Sequence, residues 1–281
     1  MRLISFEADG REQPGAVVTG PDGTDRVVAL GDLSLAQILE HGPRIAAAAG
    51  SADITALPTL TEVKLAPPVR PGKILCLGYN YAGHTQEQAP PFPNVFIKTP
   101  NTICGPGDAV VMPPSCTDVD YEGEIAVVIG TRASRVPQAG AMAHVAGYTL
   151  FNDVSDRGWQ HRTDQWALGK SADGFGPLGP WIVTTDEVTG LGGRTVEVER
   201  NGVVTVSAST DAMVYDVAFL VHYLSQIITL EPGDIISTGT PGRFPQAQAA
   251  HTPLTPGDTV TIRVTGLGEL TTPFVSMEEN R

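Results

Sequence analysis

Pro-Gly-Asp occurs three times, at Pro106, Pro232 and Pro256, and each copy runs into an apolar β-type stretch: AVVM, IIST and TVTIRV. Pro presets φ at the first corner of a turn and Gly accepts the positive φ of the second, so each copy opens a strand. The copies are unequally spaced, which excludes a repeat protein. Glu124–Ile129, Trp181–Thr184, Thr195–Glu199 and Val203–Val206 read as further strands, the last two joined by Asn201-Gly202, a hairpin dipeptide. One helix stands out in this half: Asp216 caps it, Val217, Leu220, Val221, Leu224 and Ile228 line one face, and Pro232 forbids continuation. There is no βαβ alternation and no GxxxxGK[ST] sequence, and the single GxGxxG match, Gly174–Gly179, has no βαβ unit around it, so nothing marks a nucleotide-binding fold.

The first ~65 residues read as a small α+β unit. β-like runs at Arg2–Phe6 and Ala16–Thr19 surround Asp9-Gly10, a third follows around Arg26–Ala29, and a helix is expected from Leu33 to Ala48, closed by Gly50. Residues 51–72 are rich in Pro (Pro58, Pro67, Pro68, Pro71) and look like a linker. The expected organisation is a small N-terminal α+β domain over 1–67 and a larger, mostly β domain over 68–281.

The chain of 281 residues is 41% apolar and 17% charged, with a formal charge of −13 and no basic run. Nucleic acid, whose phosphates demand clustered Lys and Arg, is excluded as a partner, and so is an anionic membrane surface. No stretch reaches the roughly 18 uninterrupted apolar residues of a membrane helix. The opening MRLISFEADG lacks the apolar core of a secretory signal, and Cys76, Cys104 and Cys116 are odd in number with no CxxC pair. Reduced thiols in a cytoplasmic protein are the expectation. An acidic protein can still take an anionic metabolite if a metal ion reverses the sign locally.

Asp120-Tyr121-Glu122-Gly123-Glu124 runs directly into the apolar Ile125–Ile129. Side chains alternate along a strand, so Glu122 and Glu124 share one side while Gly123 leaves the other face bare. Paired carboxylates repel unless something positive lies between them, and a hard divalent cation meets that demand. A solvated acidic strand end fits the same spacing. In Phe151–Gln160, a helical turn from Asp153 onward places Asp153, Arg157 and Gln160 on one polar stripe, which also fits an ordinary surface ion pair.

Lys170 sits among Gly, Ser and aromatic residues before the Gly/Pro-rich FGPLGPW, read as a rigid turn. It can serve as a held cation or proton donor, or simply as a surface lysine. His84 and Glu87 stand at i and i+3, where the carboxylate can orient the imidazole, within a loop flanked by Pro90, Pro91 and Pro93 that suits a lid. A plain surface pair explains them too. Thr238-Gly239-Thr240-Pro241 ends a strand with hydroxyls and free amides that can bind a carboxylate or simply make a turn.

Taken together, GYNYAGHTQE, PNVFIKTPNTICGPGDAVVMP, DYEGEIAVVIG, GYTLFNDVSDRGWQ, GKSADGFGPLGPW and LEPGDIISTGTP resemble, in order, the fumarylacetoacetate hydrolase superfamily over residues 73–241. The resemblance implies a mixed β-roll catalytic domain, usually a homodimer, holding Mg²⁺ or Mn²⁺ (Ca²⁺ in crystals) through Glu122, Glu124 and Asp153. It implies that Lys170 is the active-site lysine and Gln160 a substrate-facing glutamine, both catalytic, that His84 and Glu87 form the catalytic pair on a lid, and that Arg157, Thr240, Asn80 and Tyr81 contact substrate. The C-terminal motifs are most similar to the branch that hydrolyses 2,4-dioxo acids. Gly242-Arg243-Phe244-Pro245 departs from the Gly-rich turn of relatives, and Arg243 and Phe244 are placed to reshape the pocket.

The expected activity is therefore metal-dependent hydrolysis of a C–C bond in a small 2-oxo acid of the acylpyruvate type. Oxaloacetate decarboxylation and 2-oxo acid tautomerisation need the same site without attacking water, and a non-catalytic metabolite binder is the reading from another class.

Overall fold

The computed structural model describes residues 1–35, 37–39, 54–83 and 90–278. Its centre is an 11-stranded mixed sheet. Along the main path the strands run in the order Asp25–Ala29, Arg11–Thr19, Arg2–Ala8, Gly176–Thr184, Val145–Asn152, Gly123–Ile129, Ile235–Ser237, Ile74–Gly78 and Asn94–Lys98. A second sheet orders Val203–Ser209, Thr195–Arg200, Thr259–Val264, Gly268–Ser276 and Val110–Met112. The mostly β expectation holds.

Every residue of Gly123–Ile129 is buried because both faces are covered. Ile125, Val127 and Ile129 pack with Val198 and Ile262 of the second sheet and with Leu220, Val221 and Leu224 of the helix Val217–Ser225. Ala126 and Val128 point the other way, among Ile74, Ile182 and Ile235. Strict alternation thus gives a continuous apolar run in a doubly covered strand. The helix starts where the sequence places it, with the Asp216 carboxylate accepting from Phe219 N.

The three Pro-Gly-Asp segments do open strands, and the structure shows why Asp is the third residue. Each carboxylate accepts from the backbone N–H three residues earlier: Gly105 to Asp108 at 2.7 Å, Glu231 to Asp234 at 2.6 Å and Thr255 to Asp258 at 2.7 Å. This side-chain bond doubles the backbone bond that closes each turn.

The N-terminal strands form the expected meander, with Asp9 and Gly10 at positive φ in its first turn. They have a small core of Ile4, Phe6, Val17 and Val27, and they also continue the main sheet through Arg2 opposite Val183 and Leu3 opposite Ile182. Of the helix expected over Leu33–Ala48, residues 35 and 37–39 are helical, and Ala36 and everything from Glu40 onward lie outside the described residues.

Two expectations are corrected. Gly176–Thr184 is one continuous strand through its Gly and Pro residues, not a turn followed by Trp181–Thr184. Its ladder with Val145–Asn152 shifts register between Tyr148 and Leu150, and an irregularity of this kind is where a residue without an N–H can sit. Asp153, in turn, is not helical. Ser155–Asp156 pairs with Val119–Asp120, and the helix is only Arg157–Gln160, started by Asp156, whose side chain accepts from Trp159 N.

Candidate active site

Four chain segments reach one edge of the main sheet together. Gly123–Ile129 begins there, Val145–Asn152 ends there with Asn152 opposite Gly123, and Ile235–Ser237 and Ile74–Gly78 run parallel toward it. Asp153 N donates to the Glu122 carbonyl at 2.9 Å, which fixes the third carboxylate beside the first. One oxygen each from Glu122, Glu124 and Asp153 falls within 4.8 Å of the others. The sequence expectation for Gly123 also holds: a Cβ there would lie 2.4 Å from Val198 Cγ2, so the second sheet packs on bare backbone behind the two glutamates.

Glu124 and Asp153 are buried. Ser237 Oγ and, at 3.0 Å, Gly239 N donate to Glu124 Oε2. Burial first, and then the charges on Asp153 and Glu122, push the Glu124 carboxyl well above the usual carboxylate range. Burial would raise Glu122 as well, but the Lys170 ammonium and then Arg157 outweigh it and hold that carboxyl well below. Three converging carboxylates, two of them buried and one pushed from its ordinary charge state first by burial and then by the other two, are the donor set of a hard divalent cation, and the residues present fit one.

Lys170 is 1% exposed, with Nζ 2.5 Å from Glu122 Oε2 and 2.6 Å from Asp153 Oδ2. Burial works against its charge, but Asp153 and Glu122 overcome this and raise its pKa. Its position depends on Gly169, where a Cβ would fall 2.4 Å from Gln160 N, so the helix Ala167–Lys170 lies directly on Arg157–Gln160.

Arg157 is fully engaged. It binds Asp120 Oδ2 through Nε and Nη2 (3.1 and 2.7 Å), Glu122 Oε1 through Nη2 (2.7 Å) and Gln160 Oε1 through Nη1 (2.8 Å). Among the described residues the Gln160 NH₂ has no acceptor.

Two ionic residues were missed by the sequence reading. Lys98 is fully buried, with Nζ 2.7 Å from Asp153 Oδ1 and donating to the Val154 carbonyl at 2.9 Å. Burial pulls its pKa down despite Asp153. The signal lay in VFIK: alternation puts Lys98 on the same face as Phe96, against Lys170, and leaves Ile97 exposed. Asp120 accepts from Arg157 and from Arg243 Nη2. Burial raises its carboxyl, the two guanidinium groups overcome this, and the net shift is downward. The result is a ladder of alternating charge: Lys98, Asp153, Lys170, Glu122, Arg157, Asp120, Arg243. Among the described residues, Glu124 alone stands beside it with no cation in contact.

Two connected chambers open on this ladder. The inner one, about 200 Å³, is lined by Glu122, Glu124, Lys170, Gln160, Thr240 and Trp166. The outer one, about 640 Å³, shares Glu122, Arg157 and Thr240 with it and adds Asp120, Arg243 and His251. Asn80 and Tyr81 line neither. The Asn80 amide donates to the Tyr215 and Thr238 carbonyls and accepts from Tyr215 N, which makes it a clamp beneath the site rather than part of its wall. The Tyr81 hydroxyl is buried, and burial together with Glu124 pushes its pKa up. His84 and Glu87 lie outside the described residues. No described helix is long and apolar enough to cross a membrane.

Comparison with known proteins agrees with this geometry. The family model for the fumarylacetoacetate hydrolase C-terminal domain matches residues 73–275. The human mitochondrial oxaloacetate tautomerase FAHD2A is 40% identical over 283 residues, covering 95% of this chain and 90% of that protein. The structure of a 2-hydroxyhepta-2,4-diene-1,7-dioate isomerase from Mycobacterium marinum superposes with a TM-score of 0.80 at 32% identity, covering 99% of both chains. That of a fumarylacetoacetate hydrolase from Exiguobacterium antarcticum gives 0.83 at 33% identity, covering 98% of this chain and 99% of its own. The chain belongs to the fumarylacetoacetate hydrolase family.

Proposed function

We propose that the protein is a divalent-metal-dependent tautomerase or isomerase that moves a proton at the carbon beside the 2-oxo group of a small 2-oxo acid. The observation that carries it is Lys170: a charged ammonium, sealed from water, within 2.6 Å of two of the three carboxylates that suit a cation and lining the inner chamber with them. Mg²⁺ or Mn²⁺ bound by Glu122, Glu124 and Asp153 would withdraw electrons from a 2-oxo-carboxylate and make its neighbouring C–H acidic.

The protein's own groups supply the rest. Lys170 delivers a proton from Nζ to C3 of the enol and regains one from the enol hydroxyl, so the C–H formed replaces the O–H broken, and the reverse direction runs the same exchange backwards. The free NH₂ of Gln160 and the Thr240 hydroxyl hold the ligand's oxygens. Trp166, packed edge-on against Phe96 and Tyr79, forms an apolar wall that keeps water from the reacting carbon. The likeness to the human oxaloacetate tautomerase and the mycobacterial isomerase supports the same chemistry.

C–C bond hydrolysis is the second reading, favoured by the likeness to the Exiguobacterium hydrolase. It requires, beyond all this, a water held and activated for attack. Both are tested by following oxaloacetate and acylpyruvates in D₂O with Mg²⁺ or Mn²⁺. The proposal expects faster loss of the enol and deuterium at C3 without cleavage products, and at least a 100-fold loss in Lys170→Met. Stoichiometric cleavage of an acylpyruvate, or CO₂ release without exchange, would refute it.

A further inference from the structure

The outer chamber has more room than proton transfer on a short 2-oxo acid requires, and its wall carries a guanidinium with donors to spare. Its guanidinium, Arg243, is set rigidly. Tyr121 Oη bonds Thr205 Oγ1 at 3.0 Å, the Arg243 guanidinium stacks 4.5 Å over that ring, and the next residue's N–H, Phe244 N, bonds the Thr205 carbonyl. Among the described residues only Nη2 of its three nitrogens is used, donating to Asp120 Oδ1 and the Tyr121 carbonyl. Nε is buried without an acceptor, and among the described residues Nη1 has none. Arginine is built to bind a carboxylate through two nitrogens at once, so half of this fork is left unspent on a chamber wall.

Asp120, the carboxylate Arg243 touches, is shared with Arg157, and His251, 3.3 Å from Asp120, is held toward its neutral form by burial and then, against Asp120, by the surrounding arginines. Because Thr240 and Glu122 border both chambers, a ligand anchored in the inner one extends past them toward Arg243, which lies two ion pairs beyond Glu122.

Resting on the reading of the site as a 2-oxo acid tautomerase, we propose that Arg243 makes the outer chamber a second-carboxylate subsite, selecting 2-oxo diacids longer than oxaloacetate over monoacids of equal length. The test compares 2-oxoadipate with 2-oxohexanoate, which differ only in the terminal carboxylate. C3 hydrogen exchange in D₂O with Mn²⁺ gives kcat/KM for each. The wild type should favour the diacid by about tenfold or more, the ratio one charge-assisted hydrogen bond provides. Arg243→Gln should collapse that ratio toward one, chiefly through KM, and Arg243→Lys should keep part of it. Damage to the fold slows both substrates and leaves their ratio alone, so the ratio isolates the subsite. A wild-type ratio near one, or a ratio that survives in Arg243→Gln, overturns the inference, and the wild-type arm stands even if a variant does not fold. Calorimetric titration of the same two acids separates the two proposals. Preferential diacid binding without exchange leaves the subsite standing and removes the tautomerase, whereas equal binding of both acids, or none, removes the subsite.

Discussion

Replacing Glu124 by Gln should stabilise the metal-free protein while destroying its metal site. Among the described residues Glu124 is the one carboxylate of the cluster without a cation in contact, and its neighbours lie within 4.8 Å. At that distance, with an effective dielectric of about 20, each like-charge pair costs about 3.5 kcal/mol. Lys170 touches both neighbours and offsets roughly half of this. A Gln carbonyl keeps the two hydrogen bonds from Ser237 and Gly239. The net expectation is a gain of about 1–3 kcal/mol at pH 8. The pH dependence carries the sign. Glu124 has a raised folded-state pKa, so its favourable contribution is complete below the unfolded value near 4.5 and is lost as pH rises through the folded one. Wild-type stability should therefore fall with rising pH relative to Glu124→Gln, and the two should converge toward pH 4. Urea denaturation in EDTA from pH 4 to 8 measures both quantities, and Mn²⁺ should then stabilise the wild type alone. A variant less stable than wild type at pH 8 in EDTA, or parallel pH profiles, would refute the electrostatic account of the site.

Other expectations follow from packing and pairing. Lys98→Met leaves Asp153 with Lys170 alone and should cost about 3 kcal/mol in urea denaturation, the lower end for breaking a buried pair; a loss under about 1 kcal/mol would show that Lys98 does not hold Asp153. Gly123→Ala drives a methyl into Val198 and should cost about 1–3 kcal/mol, with Val198→Ala recovering part of it in a double-mutant cycle. Gly169→Ala meets Gln160 backbone, so it should move Lys170 and lower kcat in the exchange assay more than it lowers thermal stability; an unchanged kcat would show that the close packing does not set the lysine.

Much of this was legible because local rules and tertiary demands agree. The Pro-Gly-Asp turns, the Asp9-Gly10 and Asn201-Gly202 hairpins and the Asp216 cap each carry their own chemistry, and each forms where its residues say. Glu122 and Glu124 were readable as a same-side pair because strand alternation is local. Asp153 was found, but with the wrong geometry. Its place is set by Asn152 lying opposite Gly123 across a ladder that no spacing within Asp153–Gln160 encodes. Gly176–Thr184 misled for the opposite reason: its Gly and Pro residues match turn chemistry, and only burial among neighbouring strands makes the segment extended.

Lys98 and Asp120 show what residue patterns omit. A lysine in an apolar strand gives no sign that it is buried until the facing carboxylate is known, and that carboxylate, Asp153, is 55 positions away. The ladder from Lys98 to Arg243 has a further consequence for the chemistry. Every charge in it except the terminal two lies between opposite charges, which, against burial, hold the Glu122 and Asp120 carboxyls below their ordinary range and Lys170 and Arg157 above theirs. Lys170 is held protonated by that arrangement, and Arg157 is held immobile. What the ladder leaves unresolved is Glu124 at one side and the unspent donors of Arg243 at the far end. Those are the two places where an ion or ligand can change the energy of the whole set, and they lie on opposite sides of the inner chamber's shared wall. A cation at the first and a carboxylate at the second would act on one chain of ion pairs, so the affinity for each should rise when the other is bound.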